Sequence, residues 1–249
     1  MRIVVVGATG LIGRAVVRAG LEAGVDIVGL GRHDCDVTRD REAALRAHRP
    51  DAVIFCAAAT NVDAAGNGTR AVNVDAPGAW SRQVATWLLS SNFVFDGWGP
   101  HAPSATPRPC NTYAAQKVEA ERLVLAAGGH VVRVGWVHGP GGKTFASTLP
   151  SRLARGEAVR AISDVLVQPT RAVDVARALV LLPRGVTHLV GNADTTWYGY
   201  ASALAARLGG KVEPVRLADF GLDPRPRDAR LWPATLPGWH EGIEEGIPR

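Results

Sequence analysis

The sequence is poor in cysteine and lysine and has no long hydrophobic run. It has three cysteines, Cys35, Cys56 and Cys110, and an odd number at wide spacing indicates neither a disulfide framework nor a zinc site. No stretch reaches the ~18 consecutive apolar residues that a membrane helix needs. The N-terminal residues lead directly into the first predicted strand, without the long apolar region that is typical of a signal peptide. We therefore expect a cytoplasmic protein with reduced thiols and no membrane partner.

The chain also lacks any concentration of charge of one sign. Its formal net charge is +5, and only three of its 28 basic residues are lysines. The arginines are scattered without a run of five or six, unlike the basic stretches of nucleic-acid-binding proteins. We therefore expect no nucleic-acid partner. A mild positive balance suits an anionic small molecule, although a solvated basic surface is the simpler explanation.

A metal centre is not indicated either. The only local cluster of metal-ligating residue types runs from His33 to Asp36, and it lacks a second histidine at the spacing of a helix turn. We interpret this segment as a loop beside a cofactor and expect no metal.

The sequence does contain a regular alternation of short apolar runs and amphipathic stretches, which predicts a Rossmann-type α/β fold with a doubly wound parallel sheet. We predict strands at 2–6, 27–30, 52–56, 87–95 and 130–134, and helices at 11–23, 39–48, 72–86 and 111–127. The dinucleotide-binding domain is predicted to span 1–135 with parts of 165–195, and residues 136–249 are predicted to form mainly a small substrate-binding lobe. Residues 98–110 contain four prolines and must form a loop, placed where a lid would lie.

A glycine turn follows the first strand and opens a helix. Gly7, Gly10 and Gly13 provide the spacing of a dinucleotide fingerprint in the context that gives it meaning. Glycines allow a tight turn and close approach of the pyrophosphate, whose charge then meets free amides at the helix start. We expect Thr9, Leu11 and Ile12 to contribute to this cofactor site.

The second predicted strand ends just before Arg32, at the position where dinucleotide-binding folds contact the adenosine ribose of the cofactor. An acid there would accept a 2′-hydroxyl, whereas an arginine accepts a 2′-phosphate. Arg32 therefore favours NADPH as the cofactor, with NADH as the alternative. Arg32 can also be interpreted as an ordinary surface arginine with no role in cofactor binding. Asp36 and Val37 are expected to flank the adenine.

Tyr113 and Lys117 lie four residues apart on a predicted helix, so both side chains project from one face. The ammonium, together with the positive nicotinamide ring, should lower the pKa of the phenol and favour proton donation to a carbonyl oxygen at neutral pH. Ser90 and Ser91 lie within the fourth predicted strand, towards the sheet edge where ligands bind in open α/β folds. A serine hydroxyl there can hydrogen-bond a reacting carbonyl.

Further motifs occur in order along the chain. They are Cys56–Asp63, Val72–Val74, Ser91–Gly97, Arg133–Gly139, Gln168–Thr170 with Asp174, Arg225–Pro226 and Leu236–Trp239. With the glycine turn and the tyrosine–lysine pair, they make the sequence resemble the short-chain dehydrogenase/reductase superfamily and, within it, the dTDP-4-dehydrorhamnose reductase-like family.

This resemblance implies hydride transfer from a nicotinamide to the C4 ketone of a nucleotide-linked 4-keto-6-deoxysugar. Tyr113 would donate the proton, Lys117 would bind the nicotinamide ribose and tune Tyr113, and Ser91 would polarise the ketone. The further residues expected on the cofactor are Ala57, Ala58, Thr60, Asn73 and Ser90. Those expected on the sugar nucleotide are Val62, Asp63, Asn92, Phe93, Trp136 and Phe145. The oligomeric state stays open, with a homodimer as one option.

The sequence departs from the family pattern at three places. Asn92 stands where relatives usually carry aspartate, Ala114 where they carry glycine, and 101–110 contains no acid. A sugar-nucleotide 4,6-dehydratase needs a pair of acidic residues directly after the strand-four hydroxyl. This chain has no such pair there, so dehydration is not expected. A sugar-nucleotide epimerase with tightly held NAD and a non-catalytic NADP-binding regulatory subunit remain as alternatives.

Overall fold

The computed structural model describes residues 1–141, 144–221 and 224–242. These residues form twelve strands and eight α-helices. The strands are β1 (Arg2–Val6), β2 (Asp26–Leu30), β3 (Ala52–Phe55), β4 (Ala85–Ser91), β5 (His130–Val134), β6 (Trp136–His138), β7 (Val159–Ile162), β8 (Leu166–Val167), β9 (Pro169–Arg171), β10 (Val186–Leu189), β11 (Thr195–Thr196) and β12 (Val212–Val215). The helices are α1 (Leu11–Glu22), α2 (Arg41–His48), α3 (Asn67–Arg70), α4 (Ala76–Ser81), α5 (Thr112–Ala126), α6 (Phe145–Ala154), α7 (Ala172–Leu179) and α8 (Trp197–Leu208).

Six strands form one parallel sheet in the order β10-β5-β4-β3-β1-β2. The order reverses at β1, since β2 lies on one side of it and β3 on the other. At such a switch point the connections leave in opposite directions and a crevice opens at the carboxyl ends of the strands. The predicted Rossmann-type fold is therefore confirmed, and the crevice lies beside the glycine turn.

Both faces of the sheet are covered, because alternate residues of β1 enter different clusters. Ile3 and Val5 are buried against α1 and α7. Val4 and Val6 pack in a cluster with Trp80 of α4 and residues of α2 and α5. The near-continuous apolar sequence of β1 is what a parallel strand buried on two faces requires.

Two predicted element boundaries in the middle of the chain are wrong. The helix predicted over 72–86 is α3, a π-helical turn at Ala71–Asp75 and α4, and it ends at Ser81. Ala85 and Thr86 pair with β3 instead, so sheet pairing overrides local helix preference. The strand predicted to continue to 95 stops at Ser91, because the Ser91 Oγ accepts a hydrogen bond from the Phe93 amide (3.1 Å) and starts a 3₁₀ turn at Asn92–Val94.

A second core lies in the C-terminal half. Helices α6 and α8 pack together with the parallel pair β7 and β12, and the buried residues include Leu149, Tyr200, Leu204 and Trp239. These residues lie within 136–249, for which the small substrate-binding lobe stays a prediction, and the short strands β6, β7, β8, β9, β11 and β12 were not predicted. Residues 243–249 of that predicted lobe lie outside the described residues.

Candidate active site

The glycine turn connects β1 to α1 with almost no room for side chains. Gly7 has φ +79°, and a Cβ there would lie 2.5 Å from the Ala57 nitrogen. A Cβ on Gly13 would lie 2.3 Å from the Gly7 carbonyl oxygen. Both positions therefore require glycine, and the turn lies tightly against β3 and its own helix.

The start of α1 fits an anionic group. Its N-cap is Gly10, which supplies no side-chain cap, and its first turn contains no acid. The first amides of a helix have no intrahelical acceptor and carry the positive end of the helix dipole. Gly10, Leu11, Ile12 and Gly13 all line the large cavity at the sheet edge. This cradle suits the pyrophosphate of a dinucleotide.

Three side chains at the end of β4 and the start of α5 form what we call the catalytic edge: Ser91, Tyr113 and Lys117. β4 extends beyond β3, since Leu88 pairs with the last residue of β3 and Ser91 pairs with Val134 of β5. Helix α5 begins at the Asn111 cap, whose side chain accepts a hydrogen bond from the Ala114 amide at 2.8 Å. This cap starts the helix so that Tyr113 lies in its first turn.

Lys117 is 2% exposed, and its Nζ donates a hydrogen bond to the Leu89 carbonyl oxygen at 2.7 Å. Burial lowers the pKa of its ammonium to about 8, while the nearby Glu121 and Cys56 act in the opposite direction. A lysine with a pKa close to neutral in a cleft is typical of functional sites.

The pKa of Tyr113 shifts in the direction opposite to the sequence-based expectation. Burial of the phenol raises its pKa to about 12, and a hydrogen bond with Ser91 opposes that rise. The loss of water around the hydroxyl outweighs the hydrogen bond with Ser91, because the phenolate is the charged form that burial disfavours. The phenol is therefore protonated at neutral pH, which is the form that a proton donor needs.

The catalytic edge and the glycine turn share one cavity of about 930 Å³. Many residues that the sequence singled out line it. They are Gly10, Leu11, Ile12, Gly13, Ala58, Thr60, Val62, Ser90, Ser91, Asn92, Phe93, Tyr113, Lys117, Trp136 and Phe145. Residues that are far apart in the sequence therefore meet in one concave site.

The other predicted site residues lie outside this lining. Gly7 and Thr9 belong to the turn itself, and Ala57 lies directly against Gly7. Arg32 is exposed just past the end of β2. Asp36 binds Thr38 and Arg39 through its carboxylate, and buried Val37 accepts a hydrogen bond from the Trp80 indole.

Asn73 and Asp63 also have protein partners. The Asn73 amide bonds both backbone groups of Ala59 and the Gln116 side chain, so it fixes the loop after β3 to α5. The Asp63 carboxylate forms an ion pair with Arg225 at 2.7 Å, and Arg225 is itself part of the cavity lining.

Several residues of the cavity lining were not singled out from the sequence, among them Arg160, Trp197 and Phe220. Trp197 lies with its ring 4.0 Å from that of Trp136, and Phe220 lies 5.4 Å from the Arg160 guanidinium. Trp197, Arg160 and Phe220, with Trp136 and Phe145 from the predicted set, form what we call the small-lobe wall: Trp136, Phe145, Arg160, Trp197 and Phe220. The sequence signal for these aromatic residues was that α8 begins with an aromatic residue directly after its Thr196 cap.

The described residues contain no group of three or more histidine, cysteine or acidic side chains placed to hold a metal ion. Within the same part of the chain, no helix has the length and apolar character needed to cross a membrane.

Comparison with known proteins places this geometry in a family. The model of the RmlD substrate binding domain matches residues 1–237. A probable dTDP-4,6-dihydroxy-2-methyloxan-3-one 4-ketoreductase of Streptomyces antibioticus is 32% identical, with 100% of this chain and 95% of that protein aligned. A dTDP-4-keto-6-deoxy-D-glucose reductase of Streptomyces niveus is 34% identical over 90% of this chain and 86% of its own length.

A solved structure shares the fold. The dTDP-4-dehydrorhamnose reductase of Bacillus anthracis in complex with NADP has a TM-score of 0.88 at 23% identity, covering 98% of this chain and 97% of that one. The family model and the two Streptomyces relatives each cover most of the chain, so this protein belongs to the RmlD substrate-binding-domain family of dTDP-4-dehydrorhamnose reductase-like proteins.

Proposed function

We propose that this chain reduces the C4 ketone of a nucleotide-linked 4-keto-6-deoxysugar, with dTDP as the nucleotide and NADPH as the reductant. NADH is the alternative reductant. The two Streptomyces relatives carry the names of dTDP-sugar ketoreductases. The observation that carries the proposal is that the glycine turn and the catalytic edge open into the same cavity.

The cofactor, when bound, supplies the hydride that reduces the ketone carbon. The start of α1 would hold its pyrophosphate. Arg32, exposed at the end of β2, is suited to a 2′-phosphate. Ser90 and Thr60, both in the cavity lining, would lie beside the cofactor.

The residues of the catalytic edge would carry out the proton transfer. Tyr113 would donate its phenolic proton to the ketone oxygen as negative charge develops there. Ser91 would hydrogen-bond the same oxygen and orient it. The Lys117 ammonium, fixed on the Leu89 carbonyl, would stabilise the phenolate that remains and would bind the nicotinamide ribose.

The small-lobe wall would hold the substrate. Trp136 and Phe145, whose ring centres lie 6.1 Å apart, line the cavity together with Val62. Arg160, at the Phe220 end, offers a cation for the diphosphate, and Phe220 offers a ring for the base. Guanidinium groups bind phosphate oxygens well because their donors form a planar fork.

The test is NADPH oxidation with a panel of dTDP-4-keto-6-deoxysugars, in wild type and in Tyr113→Phe. We expect at least one sugar to be reduced, and kcat to fall by about 10²-fold or more in the variant, because the general acid is gone. Tyr198→Phe is the matched control, since Tyr198 lies on α8 and outside the cavity lining. Its kcat should match the wild type.

Other outcomes would contradict the proposal. Oxidation that survives Tyr113→Phe unchanged would remove the acid role. NAD retained through purification, with interconversion of sugar epimers, would favour an epimerase. NADPH binding without reduction of any ketone, together with stable co-purification of a second protein, would favour a regulatory subunit.

A further inference from the structure

A buried ion pair lies directly behind the catalytic edge. Glu121 of α5 and Arg133 of β5 both have side chains only 4% exposed. The Arg133 Nη2 donates to Glu121 Oε2 at 2.7 Å, and its Nε donates to Oε1 at 3.0 Å. Two charges in the core are paired in a geometry that fixes both side chains.

The Glu121 carboxylate also binds β4. The Ser90 hydroxyl donates to Glu121 Oε1 at 2.5 Å, and Ser90 precedes Ser91 of the catalytic edge. Glu121 itself lies four residues after Lys117, so the two side chains are neighbours on the same face of α5. One carboxylate therefore connects the strand that carries Ser91 to the helix that carries Tyr113 and Lys117.

Arg133 extends the connection to the proline-rich loop. Its Nη1 donates to the Pro103 carbonyl oxygen at 3.1 Å, and its guanidinium lies 4.9 Å from the centre of the Phe95 ring. His188 of β10 lies 3.4 Å from the same nitrogen. Burial and the Arg133 charge lower the pKa of His188 to about 4, so that ring is neutral at pH 7.

A purely stabilising role does not account for this arrangement. Taking two charges out of water costs so much that apolar residues of similar size usually serve stability as well or better. A fully hydrogen-bonded polar network instead holds its members in one arrangement. The elements held here are β4 and α5, which carry the catalytic edge, and the proline-rich loop that connects them in the chain.

We propose that Glu121 is a positioning residue for the catalytic edge: held by Arg133, it fixes β4 against α5 and supplies the negative charge that keeps Lys117 an ammonium. This inference deepens the proposed function. The charged and titratable groups that act on Lys117 are Glu121 on its own helix and the Cys56 thiol after β3. Burial raises the pKa of Cys56 to about 12, which leaves that thiol neutral. Glu121 is therefore the carboxylate that supports the ammonium.

The chain allows a direct measurement that does not depend on turnover. It has three lysines, so protein labelled with ¹³C at the lysine side chain gives few NMR signals, and Lys117→Arg assigns the one of interest. We expect Glu121→Gln to lower the titration midpoint of Lys117 by about one pH unit, because a nearby opposite charge favours the charged form. Glu121→Asp keeps the charge and should keep the midpoint close to that of the wild type.

Asp174→Asn is the matched control. Asp174 pairs with Arg171 at 2.6 Å and is 7% exposed, so this variant also breaks a largely buried ion pair, but one between β9 and α7. Its Lys117 midpoint should equal that of the wild type, even if its melting temperature falls. If Glu121→Gln does not fold, Glu121→Gln with Arg133→Met leaves no unpaired charge. It should also lower the midpoint, by less.

Activity gives the second measurement. With a 4-keto sugar that the wild type reduces, Glu121→Gln should lower kcat by about 10-fold with the KM for NADPH changed less than about 2-fold, as expected for a residue acting on the transition state. The Lys117 midpoint tests the positioning role even if no sugar is reduced, so failure of the proposed function is distinguishable. An unchanged Lys117 midpoint in Glu121→Gln, or in Glu121→Gln with Arg133→Met where the single variant does not fold, would overturn the proposal. A loss of melting temperature with kcat intact would show that the pair is structural only.

Discussion

The catalytic edge and the small-lobe wall both line one cavity, but they are built differently. Ser91, Tyr113 and Lys117 belong to adjacent elements of the sheet domain, and hydrogen bonds to Leu89, Asn111 and Glu121 fix those elements. The wall combines β6, α6, β7, α8 and the 3₁₀ turn Leu217–Phe220. It lines the cavity with four aromatic rings and one guanidinium.

Because of this difference, we expect the two regions to have different roles in the reaction. The catalytic edge has perturbed pKa values and buried polar partners, as expected of groups that move protons. The small-lobe wall offers aromatic area and one arginine, as expected of a surface that selects a ligand. Substitutions at the edge should therefore change kcat, and substitutions in the wall should change KM.

The largest expected effect is the dependence of activity on the Lys117 ammonium. Its pKa is lowered by burial to about 8, so the charged form predominates below pH 8 and is lost above it. We expect kcat/KM for the keto sugar to fall about tenfold per pH unit above that point. In Lys117→Arg the charge persists throughout, so the decline near pH 8 should disappear, although the rate is lower because the hydrogen bond to Leu89 is altered.

The measurement is a pH–rate profile from pH 6 to 10 for both proteins and for Lys211→Arg. Lys211 is exposed and paired with Glu213, so its variant should reproduce the wild-type profile. A decline near pH 8 that persists in Lys117→Arg would assign it to another group and would weaken the contrast between the edge and the wall.

The same contrast explains which parts could be predicted from the sequence. Tyr113 and Lys117 are four residues apart on one helix, and the serines lie near the end of a strand, so local rules place them together. Trp136 and Trp197 are stacked closely, yet they are 61 positions apart in the chain. Nothing local in either segment indicates that the two rings meet.

The buried ion pair behind the edge was missed for a related reason. Arg133 stands inside the otherwise apolar strand His130–Val134, which was a signal that a buried charge needs a partner. Its partner could not be chosen from the sequence, because several acids on α5 and elsewhere were available. The raised pKa of Tyr113 was likewise hidden, since burial depends on tertiary packing.

An intermediate effect is expected from the small-lobe wall. Arg160→Met keeps much of the apolar stem and removes the charge, and we expect the KM for a dTDP-keto sugar to rise about 10-fold with kcat changed less than about 2-fold, because uniform binding is lost. Arg207→Met is a control of the same chemistry on α8, outside the cavity lining. A drop in kcat with KM unchanged would place Arg160 with the catalytic edge and would break the comparison.

The smallest expected effect is at an ion pair that joins the loop after β3 to the C-terminal part of the cavity lining. Asp63, in the loop after β3, pairs with Arg225 at 2.7 Å, and the two side chains are 41% and 13% exposed. A partly exposed ion pair contributes only about 0.2–1 kcal/mol, so Asp63→Asn should raise the KM for the keto sugar about 2–5-fold and leave kcat nearly unchanged. Glu22→Gln breaks an exposed pair on α1 and should have no effect on KM.

A double-mutant cycle of Asp63→Asn with Arg225→Gln measures the coupling between the two residues, since residues that act together give non-additive changes. Additive changes in KM would mean that Asp63 and Arg225 act separately, and that this ion pair does not connect the loop after β3 to the C-terminal part of the cavity lining.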